Sequence, residues 1–187
     1  MTLLAPARPF EVPGTTTDSL AINAGRRLPG PDRLWVVDFS QIWGGTSWLY
    51  FAFVIDHESH QCLGWAPHRS PHGDLVRDAL VQAVTARSTR ATAAGESVGD
   101  FAPSVPVVFS RGCHTAEIEF PQWAIPSASD AAACGSFVAG MRRELVDKQE
   151  ENEERAWASV PEATRAIAHW IEEIYNPRHD LPVAVAG

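Results

Sequence analysis

Eight consecutive apolar residues, Trp48-Leu-Tyr-Phe-Ala-Phe-Val-Ile55, follow a Gly44-Gly45 pair, and this run constrains the fold more than any other feature of the chain. Ahead of the glycines, Leu34 to Trp43 is rich in β-branched, aromatic and apolar residues. Two such runs about a Gly-Gly turn predict a β-hairpin. A strand with one wet face alternates apolar and polar residues. An unbroken apolar strand needs cover on both faces, which places the second strand inside a sheet flanked by helices. The run is far short of the roughly 20 residues a membrane helix requires, so no membrane span is expected. An apolar content of 45% is too high for a disordered chain, and 187 residues are enough for one domain with its own core.

The remaining elements follow from spacing. Residues 1–32, broken by proline and glycine, read as an extended arm or linker. A third short strand is expected from Gln61 to Trp65, with Asp56-His-Glu-Ser-His60 as the turn before it. Pro67 to Gly73 reads as a loop. Leu75, Val76, Ala79, Leu80, Ala83 and Val84 recur at helical spacing and predict a helix of about three turns. Residues 88–104 read as loop, and Val105 to Phe109 as a fourth strand whose proline puts it at a strand start or an edge. Phe137, Val138, Met141 and Leu145 mark another helix, which runs into the acidic stretch Asp147 to Arg155. Ser159 and Glu162 have capping-box spacing ahead of a stripe of Ala163, Ile167, Trp170, Ile171 and Ile174, and Asn176-Pro177 is expected to stop that helix. The organisation predicted is an arm over 1–32, a core over 33–146, and over 147–187 an acidic helical segment and C-terminal helix of the same core. Three strands, a helix, a strand and then helices give an α/β fold with a mixed sheet.

Three cysteines without a C-x-x-C pair argue against a disulfide framework, and the first residues do not resemble a secretory leader, so a cytoplasmic protein is expected. The formal net charge of −8 opposes binding to a duplex or to an anionic membrane surface. Cys113-His114 with Cys134, or His57, His60, Cys62, His68 and His72, offer zinc-type donors, but none follows a finger-like spacing and they read as loop histidines and core thiols. Cys113 beside His114 is a poor nucleophile pair, because adjacent residues on a strand point apart. The tryptophans Trp35, Trp43, Trp48, Trp65 and Trp170 read as core.

Asp38 interrupts the apolar run Trp35-Val-Val-Asp-Phe39. A carboxylate in a buried strand costs several kcal/mol unless it is paired, protonated or bound to a metal, so Asp38 is either a structural, ion-paired aspartate or a metal ligand. Asp56 closes the next strand and is either a turn residue or a partner for Asp38 across the sheet. The order Leu34-Trp-Val-Val-Asp-Phe-Ser-Gln-Ile42, Trp48-Leu-Tyr-Phe-Ala-Phe-Val-Ile-Asp56, Cys62-Leu-Gly-Trp65 and Asp74-Leu-Val-Arg-Asp-Ala-Leu80 resembles the catalytic core of insertion-sequence transposases related to retroviral integrases. The likeness continues through Ser136-Phe-Val-Ala-Gly-Met-Arg-Arg-Glu-Leu145 and ends at Ala166-Ile-x-x-Trp-Ile-Glu-x-x-Tyr-Asn176. From these residues no helix-turn-helix region is expected ahead of it.

The resemblance implies a ribonuclease-H-like integrase core, a mixed sheet flanked by helices, in which two Asp and one Glu hold Mg2+ or Mn2+ for cutting and joining DNA. Hard divalent cations prefer carboxylate oxygens, and two ions roughly 4 Å apart stabilise the attacking and leaving oxygens together. Asp38 matches the first acid. Anchoring on Arg111-Gly112 puts Ser110 at the second, and Gly135, ahead of Ser136-Phe137 at the start of the long helix, occupies the glutamate position. The interval between Ser110 and Gly135 is also shorter than the family pattern. Asp56, Glu117, Glu119 and Asp130 are candidate substitute acids, with Asp56 the possible second ligand beside Asp38. The expectation is a transposase-like core that has lost activity, acting if at all through a homo-oligomer or an active transposase relative. The alternatives are an active metal-dependent strand-transferase with substitute acids, and a non-enzymatic protein-binding or regulatory module.

Overall fold

The computed structural model describes residues 33–93, 107–109, 128–147 and 157–179. The hairpin forms as the apolar runs demand. β1 (Trp35–Trp43) pairs antiparallel with β2 (Trp48–Asp56), in a register running from Trp35 opposite Asp56 to Trp43 opposite Trp48. Gly45 takes φ +84°, a left-handed conformation that glycine adopts without a Cβ penalty. At the hairpin tip the two exposed tryptophans Trp43 and Trp48 stack edge to face with ring centroids 5.7 Å apart, so neither joins the core expected of them. This cross-strand pair stabilises the hairpin itself.

β3 (Cys62–His68) adds antiparallel to β2, and β4 (Val107–Phe109) adds parallel to β1, giving the order β3-β2-β1-β4. β3 runs three residues past the expected end at Trp65 and includes Pro67. Proline is tolerated there because β3 is an edge of this sheet, where an N–H is not needed for pairing. Residues 105 and 106 of the expected fourth strand lie outside the described residues.

Side-chain alternation divides β1 and β2 between two cores. Val36, Ile42, Leu49, Phe51, Phe53 and Ile55 face one side, where they meet α2 (Ala128–Arg142) and α3 (Val160–His169). Trp35, Val37, Ala52 and Val54 face the other, covered by Leu75, Val76, Ala79, Leu80 and Ala83 of α1 (Gly73–Ala93). Residues 51–55 of β2 are completely buried, which is why that strand has no polar face to show in the sequence. At Gly64 the α1 backbone lies directly on β3.

α1 is 21 residues long, well beyond three turns, and it crosses the Ser/Thr-rich stretch expected to be loop. The reason is local: the hydroxyls of Thr85, Ser88 and Thr89 donate to the carbonyls of Val81, Val84 and Thr85 four residues back, so these polar side chains spend their hydrogen bonds along the helix. Arg87 adds a cation–π contact, 5.8 Å over the Trp35 ring.

α2 continues as a π-helical segment, Arg143–Asp147, and α3 as another, Trp170–Tyr175, followed by three helical residues, Asn176–Arg178. The helix therefore passes through Asn176-Pro177 instead of stopping there, with Pro177 in the first turn of the new segment, where a missing N–H costs little. Glu144 ties the two π segments together, accepting from Trp170 Nε1 at 3.1 Å and from Arg178 at 2.7 Å. The expected capping box forms only in part. Ser159 occupies the N-cap without a side-chain hydrogen bond, and Glu162 reaches back to the Ala158 N–H at 2.9 Å. No described helix is long and apolar enough to cross a membrane.

Candidate active site

Asp38 lies in the middle of β1, half-buried, one step past the last described β1–β4 pair, Val37 opposite Phe109. Its place between Val36 and Ile42 in the strand alternation puts it on the α2/α3 side of the sheet, opposite Phe53. Its Oδ1 accepts the N–H of Phe39 at 2.8 Å, so one carboxylate oxygen is held against the backbone.

Asp56 does not share this face. Its partner in the ladder is Trp35, three residues from Asp38. Three residues is an odd step, so the two aspartates leave opposite faces of the sheet, and the separation along the strand is about 10 Å. Asp56 also has local work. It is 1% exposed, and its Oδ1 accepts from the Glu58 N–H, the Ser59 N–H and the Ser59 hydroxyl, at 3.1, 2.7 and 2.9 Å. That geometry makes it the keystone of the β2–β3 turn, the simpler of the two roles the sequence left open.

Gly135 lies on α2, which faces the sheet on the same side as Asp38, but it sits mid-helix, not at the helix start as the resemblance implied. It is exposed, and a Cβ built there meets nothing within 4 Å. No conformational demand explains the glycine, since its φ is not in the left-handed region. Gly135→Ala is therefore expected to stabilise the protein by about 0.5–1 kcal/mol, read as a higher urea midpoint.

Ser110, Glu117 and Glu119 lie outside the described residues, as do Cys113 and His114. Asp130 is described. It is 2% exposed in the first turn of α2, with Oδ1 3.1 Å from Nδ1 of His57, which fastens the helix start to the β2–β3 turn. This pairing leaves no signal in the sequence, because the partners are 73 positions apart and neither lies in a motif.

Cys62 and Cys134 are buried in the core, as expected. Burial pushes the Cys62 thiol up to about 12, so it is neutral and unreactive at physiological pH. Among the described residues no group of three or more His, Cys, Asp or Glu side chains is placed to hold a metal ion. The described donor set thus does not fit a two-ion carboxylate centre. Asp38 leaves the middle of β1 on the α2/α3 side, Asp56 leaves the opposite face and is engaged in the turn, and position 135 has no side chain to donate.

A mixed four-stranded sheet in the order β3-β2-β1-β4, with helices on both faces and an aspartate in the middle of β1, is an α/β arrangement consistent with a ribonuclease-H-like core. Residues 29–97 match the family model for the integrase core domain. A relative from Mycobacterium tuberculosis (strain CDC 1551 / Oshkosh), assigned to insertion sequence element IS986/IS6110, is 26% identical over 169 residues, covering 82% of this chain and 57% of its own. The transposase for insertion sequence element IS629 of Shigella sonnei is 25% identical over 170 residues, 88% of this chain and 55% of that protein. The transposase for IS3411 of Escherichia coli is 35% identical over 79 residues, 39% of this chain and 33% of that one. The chain is thus similar to the catalytic cores of insertion-sequence transposases, and it spans a little over half the length of the first two of these relatives.

Proposed function

We propose that this protein is a transposase-type integrase core that keeps the fold but not the strand-transfer chemistry, and that it acts without catalysis by associating with a second copy or with an active relative on DNA. The observation that carries this reading is the pairing of a retained Asp38 with an exposed, ligand-free Gly135 on the helix that should bring the third acid to the same side of the sheet. One carboxylate remains where the family uses three. At a screened effective dielectric of about 20, each lost carboxylate removes roughly 8 kcal/mol of gross attraction for a divalent cation about 4 Å away. Asp56 supports no rescue, since the β1–β2 register turns it away and the turn uses its oxygen. Mg2+ or Mn2+, the ions the family employs, would find a carboxylate only at Asp38 among the three matched positions.

The acidic balance supports a regulatory role through protein contacts more than tight DNA binding, because phosphates repel a chain of net charge −8. Incubation of supercoiled plasmid with the protein and Mn2+ tests the proposal. No nicking above the level of Asp38→Asn is expected. Nicking that depends on Asp38 would establish the competing reading, an enzyme with substitute acids. A gel shift across a salt series separates DNA contact from protein contact, since affinity carried by phosphates falls steeply with salt.

A further inference from the structure

Two histidines that take no part in the Asp38 site face each other where the β2–β3 turn meets the C-terminal helix. The rings of His60 and His179 are nearly parallel, with an interplanar angle of 7° and centroids 6.3 Å apart. Nδ1 of His179 lies 2.8 Å from the carbonyl oxygen of Tyr175. A carbonyl oxygen only accepts, so the proton is on Nδ1, and in the neutral ring the lone pair is on Nε2. The Tyr175 ring, 4.2 Å from that of His179, holds the imidazole in place.

His60 is fixed in the same region by its backbone. It takes φ +63°, its N–H donates to the Asp56 carbonyl at 2.9 Å, and its own carbonyl accepts the Tyr175 hydroxyl at 2.8 Å. Burial holds the Tyr175 hydroxyl well above its usual range, so it stays a donor. The turn is clamped while the His60 ring stands exposed. A second clamp sits two residues on, where the Asn176 side chain pairs with both the N–H and the C=O of Cys62, each at 2.9 Å.

Two imidazoles sharing an ion, with N–metal distances of about 2.0–2.1 Å, have ring centroids roughly 5–6 Å apart. The pair here is within a side-chain rotation of that spacing, and the exposed His60 ring is free to make it. We propose that His60 and His179 form a surface site for a divalent transition-metal ion, each giving one imidazole nitrogen, which staples the β2–β3 turn to the C-terminal helix. No third described side chain joins them, so water fills the remaining positions. Imidazole selects nickel, copper or zinc over magnesium, which makes the site independent of the question at Asp38.

Ni2+ is the probe, followed by calorimetry and by the histidine imidazole resonances in NMR. The variants are His60→Asn, because asparagine tolerates the left-handed backbone, and His179→Asn, whose amide can still donate to the Tyr175 carbonyl. One equivalent should bind the wild type, with paramagnetic broadening first at His60 and His179. Each variant should lose at least about tenfold in affinity while its circular dichroism is unchanged. Affinity unaltered in both variants, broadening that begins at His57, His68, His72, His114 or His169, or no saturation at millimolar Ni2+ would each overturn the proposal. Should a variant fail to fold, the order of broadening in the wild type decides alone.

Discussion

Phe137→Ala should remove about 3–5 kcal/mol of unfolding free energy, the usual cost of deleting a fully buried phenylalanine. Phe137 is where three elements meet. Its ring lies 4.5 Å from Phe53 of β2, 5.4 Å from Trp170 and 4.9 Å from Tyr175, and none of it is exposed. The resulting cavity would be bounded by rigid aromatic rings, which collapse poorly, so the loss belongs at the upper end of that range. Urea denaturation checks it: the midpoint should fall sharply with an unchanged m-value. A loss below about 1 kcal/mol would mean that α2 is not seated on the sheet through this residue.

Gly64→Ala is expected to cost about 3 kcal/mol for the opposite reason. The added methyl would come closer than 3.0 Å to both the Ala79 carbonyl oxygen and the Ala83 backbone nitrogen. Both atoms belong to helix backbone, so no side chain can swing aside and α1 itself must lift from β3. Leu75, Val76, Ala79 and Leu80 would lose contact with the sheet together. The variant should melt at a lower urea concentration than the wild type, whereas Gly135→Ala on the open face of α2 should melt at a higher one. Equal midpoints for the two glycine variants would contradict the packing described.

The sheet was legible in the sequence because its central strand is buried on both faces, and an eight-residue apolar run in a chain of this size has few other uses. α1 was legible only where its apolar stripe reaches. Its second half is mostly Ser, Thr, Arg and Ala, and the i−4 hydrogen bonds along this stretch leave no mark on hydrophobic periodicity. Trp43 and Trp48 lie outside the core expected of them, because composition cannot distinguish a cross-strand pair at a hairpin tip from a buried ring. At the candidate site Asp38 stood out as a charge inside an apolar strand. The exclusion of Asp56 needed the pairing register: a slip of one residue would have placed both aspartates on the same face. The His57–Asp130 contact and the two clamps from Tyr175 and Asn176 join segments far apart in the chain, so only the folded arrangement shows them.

The absence of a side chain at position 135, with open space around it, makes the central claim testable by restoration as well as by deletion. The direct measurement is a calorimetric titration of Mg2+ into the wild type, Asp38→Asn, and a variant carrying Ser110→Asp and Gly135→Glu together. No saturable binding at millimolar Mg2+ is expected for the first two, and clear binding for the third. Binding by the wild type that disappears in Asp38→Asn would contradict it, and would mean that a working set of acids has been assembled around Asp38.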